Sequence, residues 1–334
     1  MRLRRLKLRS VFLLYFLVSV LGLMYALLQL GQPCDCTPQM KSANDMVRQK
    51  DQKLLHLQAE VKKLQRQVKA EEAAAAAGDG QPLPAIYAIT PTYGRLVQKA
   101  ELIRLSQTFL HVKKFHWIVV EDAANRSKLV ADLLAQSGLP YTHLNLPTPT
   151  IYKLRESDPN WLKPRGVEQR NRGIQWLREN RELSEEAVVY FADDDNTYGL
   201  KLFDEMRWTK RVSVWPVGLV GGLRFERPLV ENGKVVGFYT AWKPNRPFPM
   251  DMAGFAVALQ LLLANREARF DINAERGYLE SSLLQSLVSI EELEPRADNC
   301  NTVLVWHTRA EKPKMKQEDL LLKEGKGSDV HIEV

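Results

Sequence analysis

The chain has 334 residues, of which 45% are hydrophobic and 26% charged, and a formal net charge of +7. This composition excludes a wholly disordered, collagen-like or disulfide-built chain and leaves room for one large domain or two modest ones. Arg2, Arg4, Arg5, Lys7 and Arg9 supply most of the positive charge and leave about +2 elsewhere, which argues against a nucleic-acid binder, whose basic charge clusters on a folded face.

Val11 to Leu30 runs 20 residues without a charge, long enough at about 1.5 Å per residue to cross a hydrocarbon core of about 30 Å. A cleaved signal peptide has a shorter apolar core and a small-residue cleavage site, which Leu28-Gln29-Leu30-Gly31-Gln32 does not resemble. Positive charges precede the span and none follows until Lys41. Residues 1–10 are therefore expected to be a cytoplasmic tail, 11–30 a transmembrane signal-anchor, and the remainder lumenal, as in a type II membrane protein.

Cys34 and Cys36 follow the span and are badly placed to bridge each other. In an oxidising lumen they are expected to bridge to a second chain; palmitoylated or idle thiols are the alternative. Val47, Leu54, Leu57, Val61, Leu64 and Val68 recur at heptad-like steps of three and four, broken by Lys50. The stem over 31–83 thus reads as a pairing coiled coil, or as an amphipathic helix lying on the folded domain. Glu71 to Pro84 reads as a helix tail and linker, so the lumenal domain, 84–334, starts near Pro84. Its Cys300 has no evident intrachain partner.

From Ala85 the period changes. Ala85 to Thr90 is a short apolar strand, and Arg95 to Leu110 has helical spacing. The alternation continues with a strand over Phe115 to Val120, a helix over Ser127 to Gln136, a strand over Tyr141 to Leu146, a helix over Val167 to Arg181 and a strand over Ala187 to Ala192. It predicts a mainly parallel sheet covered on both faces. Beyond Asp195 the chain becomes strand-rich, with Val212 to Leu223, Lys234 to Trp242 and Gly254 to Leu259 as candidates for a smaller second part.

Ligands of open α/β sheets bind at the carboxyl ends of strands. Three such ends carry polar groups: Pro91-Thr92-Tyr93, Glu121-Asp122 and Asp193-Asp194-Asp195. Three adjacent aspartates repel one another unless a hard divalent cation such as Mg²⁺ or Mn²⁺ neutralises them; an acidic helix cap is the plainer alternative. A cation there could clamp a nucleotide diphosphate, as transfer from an activated sugar requires. Tyr93 could stack on the base and Asp122 hydrogen-bond it, while Arg165 and Arg170 offer cations to the diphosphate or ribose.

The strings TPTYGRLVQKAEL, PRGVEQRN, VVYFADDDNTY, EMRWTKRVSVWPVGLVGGLRFE, RPFPMDMAGFAV, LESSLL and WHTRAEKPKMK together resemble the β-1,3-glucuronosyltransferases over essentially residues 84–334. The resemblance implies a GT-A type α/β fold, with a Rossmann-like UDP-binding part over 84–195 and an acceptor-binding part over 196–334. It also implies a Golgi membrane enzyme that depends on Mn²⁺ and transfers glucuronic acid from UDP-glucuronic acid to the terminal galactose of the Gal-Gal-Xyl linker on proteoglycan core proteins. By this resemblance Pro91, Thr92, Tyr93 and Asp122 match uridine-binding positions, Arg165 and Arg170 donor contacts, and Asp193 and Asp194 nucleotide contacts. Asp195 matches the Mn²⁺ ligand. His307 and Arg309 match positions beside the diphosphate and donor sugar, and Arg276 a position that recognises the glucuronate, where a guanidinium can pair bidentately with a carboxylate. Glu226, Arg246 and Asp251 match acceptor positions, with Trp242 a stacking surface or a core residue.

Glu280 matches the catalytic base. On spacing alone it is a first-turn acid of a helix carrying Leu279, Leu283, Leu284 and Leu287, equally explained as a dipole partner. An inverting displacement needs one such carboxylate to take the proton from the attacking hydroxyl. Asn125-Arg126-Ser127 is the sole glycosylation sequon. A relative acting on N-acetyllactosamine glycans and a noncatalytic carbohydrate-binding scaffold are the rival readings, and the stem, the cysteines or the catalytic domains could each make a homodimer.

Overall fold

In the computed structural model the described residues are 8–30, 46–63, 83–154, 158, 162–311, 313–328 and 332. Cys34, Cys36, Leu64, Val68, the linker over 71–82 and the charges Arg2, Arg4, Arg5 and Lys7 lie outside them. The chain divides into two compact units, Met1–Gln81 and Pro82–Val334.

The first unit holds helix α1, Leu8–Leu30. Its stretch Phe12–Gln29 has a mean hydropathy of 2.1 and is long and apolar enough to cross a membrane, which fits a single-pass anchor. Helix α2 covers 46–63 and exposes Val47, Leu54, Leu57 and Val61.

The second unit opens with β1 (Ala85–Thr92), α3 (Gln98–Phe109), β2 (Phe115–Glu121), α4 (Lys128–Gln136), β3 (Tyr141–Asn145), α5 (Val167–Asn180) and β4 (Ala187–Phe191), each within a few residues of its expected place. Strand β1 pairs in parallel with β2 and β4, and β2 with β3. Period-two alternation serves both faces of this sheet. Ile86 and Ala88 join Leu102, Leu105 and Phe109 of α3 and Val130 and Leu134 of α4 on one side, whereas Tyr87 and Ile89 join Val167, Ile174 and Leu177 of α5 on the other. Burial on both faces explains why these strands read as near-continuous apolar runs.

After β4 come β5 (Thr197–Tyr198), α6 (Lys201–Met206), β6 (Val212–Val214), β7 (Val217–Gly218), β8 (Phe225–Glu231), β9 (Lys234–Tyr239), β10 (Phe255–Ala258), α7 (Leu259–Ala264), α8 (Leu279–Leu284), β11 (Leu293–Pro295), α9 (Ala297–Cys300), β12 (Val305–Trp306) and α10 (Lys316–Lys323). The main sheet has seven strands in the order β11-β6-β10-β4-β1-β2-β3, with β10 antiparallel to both neighbours, and a second sheet runs β5-β12-β7-β8-β9. The sheet is therefore mixed.

Two expectations are corrected here. The single strand over Val212 to Leu223 is two short strands and a loop, because Pro216 lacks the N–H a ladder needs and Gly221 and Gly222 turn at positive φ. The expected strand to Trp242 ends at Tyr239 and is the second arm of a hairpin whose first arm, β8, was not anticipated. Asn232 and Gly233, at φ 51° and 76°, form the turn between them, the Asn-Gly signal of a tight hairpin. Cys300 is a buried free thiol.

Gly173 sets how closely α5 lies on β1, since a Cβ there would meet Ile89 Cγ2 at 2.7 Å. Gly173→Val is expected to destabilise the second unit by about 1–3 kcal/mol through overpacking, measured by denaturant unfolding.

Candidate active site

The carboxyl ends of β1, β2 and β4 come together, and the acidic run after β4 is distributed among arginines from other elements. Asp193 pairs with Arg170 of α5. Asp194, only 6% exposed, accepts from Thr92 Oγ1 at 2.6 Å and from Arg95 Nη2 at 2.7 Å, and Arg95 also pairs with Glu101. The Asp194 carboxylate is thus spent largely inside the protein. Asp195 gives its main-chain oxygen to Arg104 (3.0 Å) and Thr308 (2.6 Å). Desolvation, then the charges of Asp193, Asp194 and Glu101, push its carboxyl up to about 6.

This donor chemistry fits a hard divalent cation: burial and acidic neighbours disfavour the charge on this carboxylate, and a cation would stabilise it. Among the described residues no group of three or more His, Cys, Asp or Glu forms a metal cage. A cation on Asp195 would leave most positions open to diphosphate oxygens and water.

Beside the acids, Tyr93 is 42% exposed, with the Arg95 guanidinium 4.7 Å and that of Arg165 5.8 Å from its ring centroid. Arg165 also donates to the Tyr93 hydroxyl at 3.3 Å. Gly166, at φ 73°, caps α5 between Arg165 and Arg170; a Cβ there would stand 2.7 Å from Arg170 Nη1 and 3.0 Å from Pro91. Only glycine lets these arginines approach the end of β1 so closely. Asp122 is held by the Thr148 N–H at 2.7 Å and its hydroxyl at 2.8 Å. Asn125 is exposed and Ser127 caps α4, accepting from the Val130 N–H.

A cavity of about 780 Å³ is lined by Leu219, Gly221, Trp242, Asp251, Arg276, His307 and Arg309, among others. It gathers residues expected on the donor side (Arg276, His307, Arg309) with two from the acceptor side (Trp242, Asp251). His307 Nδ1 lies 3.3 Å from Asp251 Oδ2, an ion pair rather than an aligned hydrogen bond. The facing carboxylate raises the imidazole against desolvation; burial would raise Asp251, but His307 holds it below the usual carboxylate range. Arg246 is 6% exposed and donates to the carbonyls of Lys243 (3.1 Å), Trp242 (3.2 Å) and Gly277 (2.9 Å), so it ties two loops together. Its guanidinium and that of Arg276 lie 5.0 and 5.2 Å from the Trp242 ring. Glu226, buried and bonded by the Thr240 hydroxyl, is raised by desolvation.

Glu280 starts α8. Desolvation and then the charge of Asp251 push its carboxyl up to about 7, against Arg246 and Arg170, which lower it. Glu280 is not among the residues that line the cavity, but a half-buried glutamate poised near neutral pH within electrostatic reach of the lining residue Asp251 is a general-base candidate. Sequence reading passed over Arg95, Thr148 and the loop after β7. Arg95 follows directly on Pro91-Thr92-Tyr93-Gly94, and that adjacency was its only signal.

The mixed sheet, with acids at its strand ends and a basic cavity beside them, agrees with the expected GT-A type α/β fold. The family model "Glycosyltransferase family 43" matches residues 105–311, and the chain belongs to this family of glycosyltransferases. It is 58% identical to the galactosylgalactosylxylosylprotein 3-beta-glucuronosyltransferase 3 of Mus musculus and to that of Homo sapiens, over 99% of this chain and 100% of each relative. It is 51% identical to the Drosophila melanogaster galactosylgalactosylxylosylprotein 3-beta-glucuronosyltransferase I over 76% of this chain and 85% of the relative.

A carboxylate facing an imidazole stabilises its charged form, so the His307–Asp251 pair contributes stability that is whole below the ordinary histidine value of about 6.5 and fades as pH rises through the folded value. In Asp251→Asn the His307 titration is expected to fall back towards 6.5, followed by imidazole NMR; an unmoved midpoint would contradict the pairing.

Proposed function

We propose that this chain is an inverting glucuronosyltransferase that moves glucuronic acid from UDP-glucuronic acid to the 3-hydroxyl of the terminal galactose of Gal-Gal-Xyl on proteoglycan core proteins. The full-length identity to relatives bearing that acceptor in their names supports the acceptor. The observation that carries the chemistry is the poise of Glu280 near neutrality, within electrostatic reach of Asp251, which lines the cavity with His307, Arg309 and Arg276.

In this reading Tyr93 stacks on the uracil, Asp122 accepts from it, Pro91 and Thr92 shape its seat, and Arg165 and Arg170 face the ribose and diphosphate. Asp195 holds Mn²⁺, with Asp193 and Asp194 beside it; the cation, when bound, withdraws charge from the departing diphosphate. His307, whose charged form Asp251 favours, and Arg309 donate to the same oxygens, and Arg276 pairs with the glucuronate carboxylate. Glu226, Arg246, Asp251 and Trp242 seat the galactose. Glu280 takes the proton of the attacking hydroxyl. The apolar helix supports a single-pass membrane anchor; in this reading the membrane is that of the Golgi, the unit Pro82–Val334 is lumenal, and a homodimer is the assembly the stem pattern supports.

Purified residues 82–334 supplied with UDP-glucuronic acid, Mn²⁺ and Gal-Gal-Xyl are expected to form the glucuronidated product; preference for N-acetyllactosamine defeats the acceptor assignment. Glu280→Gln is expected to lose about 10²–10⁴ in kcat while UDP binding persists. Because the base works ionised, the wild-type rate should rise about tenfold per unit of pH below about 7 and level off above it. Asp195→Ala should abolish Mn²⁺-dependent UDP binding in calorimetry, and unchanged affinity would contradict its role.

A further inference from the structure

We propose that Leu219 is a specificity-determining residue: an apolar wall that, with Trp242, receives the galactose ring of the acceptor. The inference rests on the glucuronyl-transfer reading above. Leu219 begins the loop between β7 and β8, where its N–H donates to the Arg224 carbonyl at 2.8 Å, and it lines the cavity together with Trp242. Its φ is 58°, a left-handed conformation that L side chains other than Asn and Asp enter only at a cost. Its side chain is 57% exposed. An exposed leucine alone is ordinary, but one that also holds its backbone in this region gains little from burial, and glycine would serve the loop better. Of the described non-glycine residues at positive φ, Leu219 is the one that lines this cavity, and strain carried at a cavity wall points to use.

The flanking contacts say which substrate meets it. The carbonyl of Gly218, the preceding residue, accepts from the His307 N–H at 2.9 Å. In the ladder Val217 faces Glu226, and a Cβ on Gly221 would meet Glu226 Oε1 at 2.1 Å. Leu219 therefore stands on the cavity wall at the end of a strand flanked by the backbone of His307 on one side and by β8, which carries Glu226, on the other. Diphosphate and glucuronate are charged and gain nothing from a leucine. The axial 4-hydroxyl of galactose gathers the C3, C4 and C5 hydrogens on one apolar face, which an aliphatic wall can desolvate.

The test is Leu219→Gly, which removes the wall and relieves the backbone at once. The Tm is expected to stay level or rise. KM for Gal-Gal-Xyl should rise about tenfold, KM for UDP-glucuronic acid should hold, and Leu219→Met should restore the acceptor KM. An unchanged acceptor KM in Leu219→Gly overturns the inference while leaving the function standing. So does a lowered Tm with both KM values raised together, the mark of a merely structural residue. A wild-type protein that transfers nothing to Gal-Gal-Xyl overturns the functional reading and this inference with it.

Discussion

The structure around the site depends on how three consecutive carboxylates are kept at the end of one buried strand. Two unit charges 4 Å apart at an effective dielectric of about 20 interact by about 4 kcal/mol, so Asp193, Asp194 and Asp195 cannot share that place unaided. The fold answers with arginines from separate elements, Arg170 for Asp193 and Arg95 for Asp194. Asp195 is left with a raised proton affinity, from burial first and then from the charges of Asp193, Asp194 and Glu101. The charge that invites a cation is thus directed to one carboxylate by pairing off its neighbours.

The same arginines organise the surroundings of Tyr93. Arg95 bridges Asp194 and Glu101 while its guanidinium faces Tyr93, so balancing the acids also fixes the ring on which a base would stack. Arg170 reaches Asp193 while it donates to the Arg165 carbonyl at 3.0 Å, which sets the second cation against Tyr93. Gly166 makes that approach sterically open.

On the other side Arg246 has a comparable task with backbone partners. By holding the carbonyls of Trp242, Lys243 and Gly277 it joins the Trp242 loop to the chain entering α8, and so links Trp242 to Glu280. A buried guanidinium satisfied by carbonyls is a framework group as well as a positive charge, and it opposes the rise in the Glu280 proton affinity. The His307–Asp251 pair links β12 to the segment before β10, and so joins two parts of the wall of one cavity.

Local pattern sufficed for the anchor-like helix, for the alternation from β1 to β4 and for the placing of Pro91-Thr92-Tyr93, Asp122 and Asp193 to Asp195 at strand ends, because burial on both faces writes itself into contiguous apolar runs and their polar ends. It did not suffice for β8, where Arg227 and Pro228 interrupt the apolar run, or for the strands of two and three residues, which exist through partners distant in sequence. The residue types of the site were likewise readable, but their states were not. Which aspartate keeps the unbalanced charge, which glutamate is pushed to about 7 and which leucine stands strained on a cavity wall depend on Arg95, Arg170, Asp251 and Arg246 arriving from far along the chain. Charge and desolvation act through space, and only the tertiary structure sets those distances.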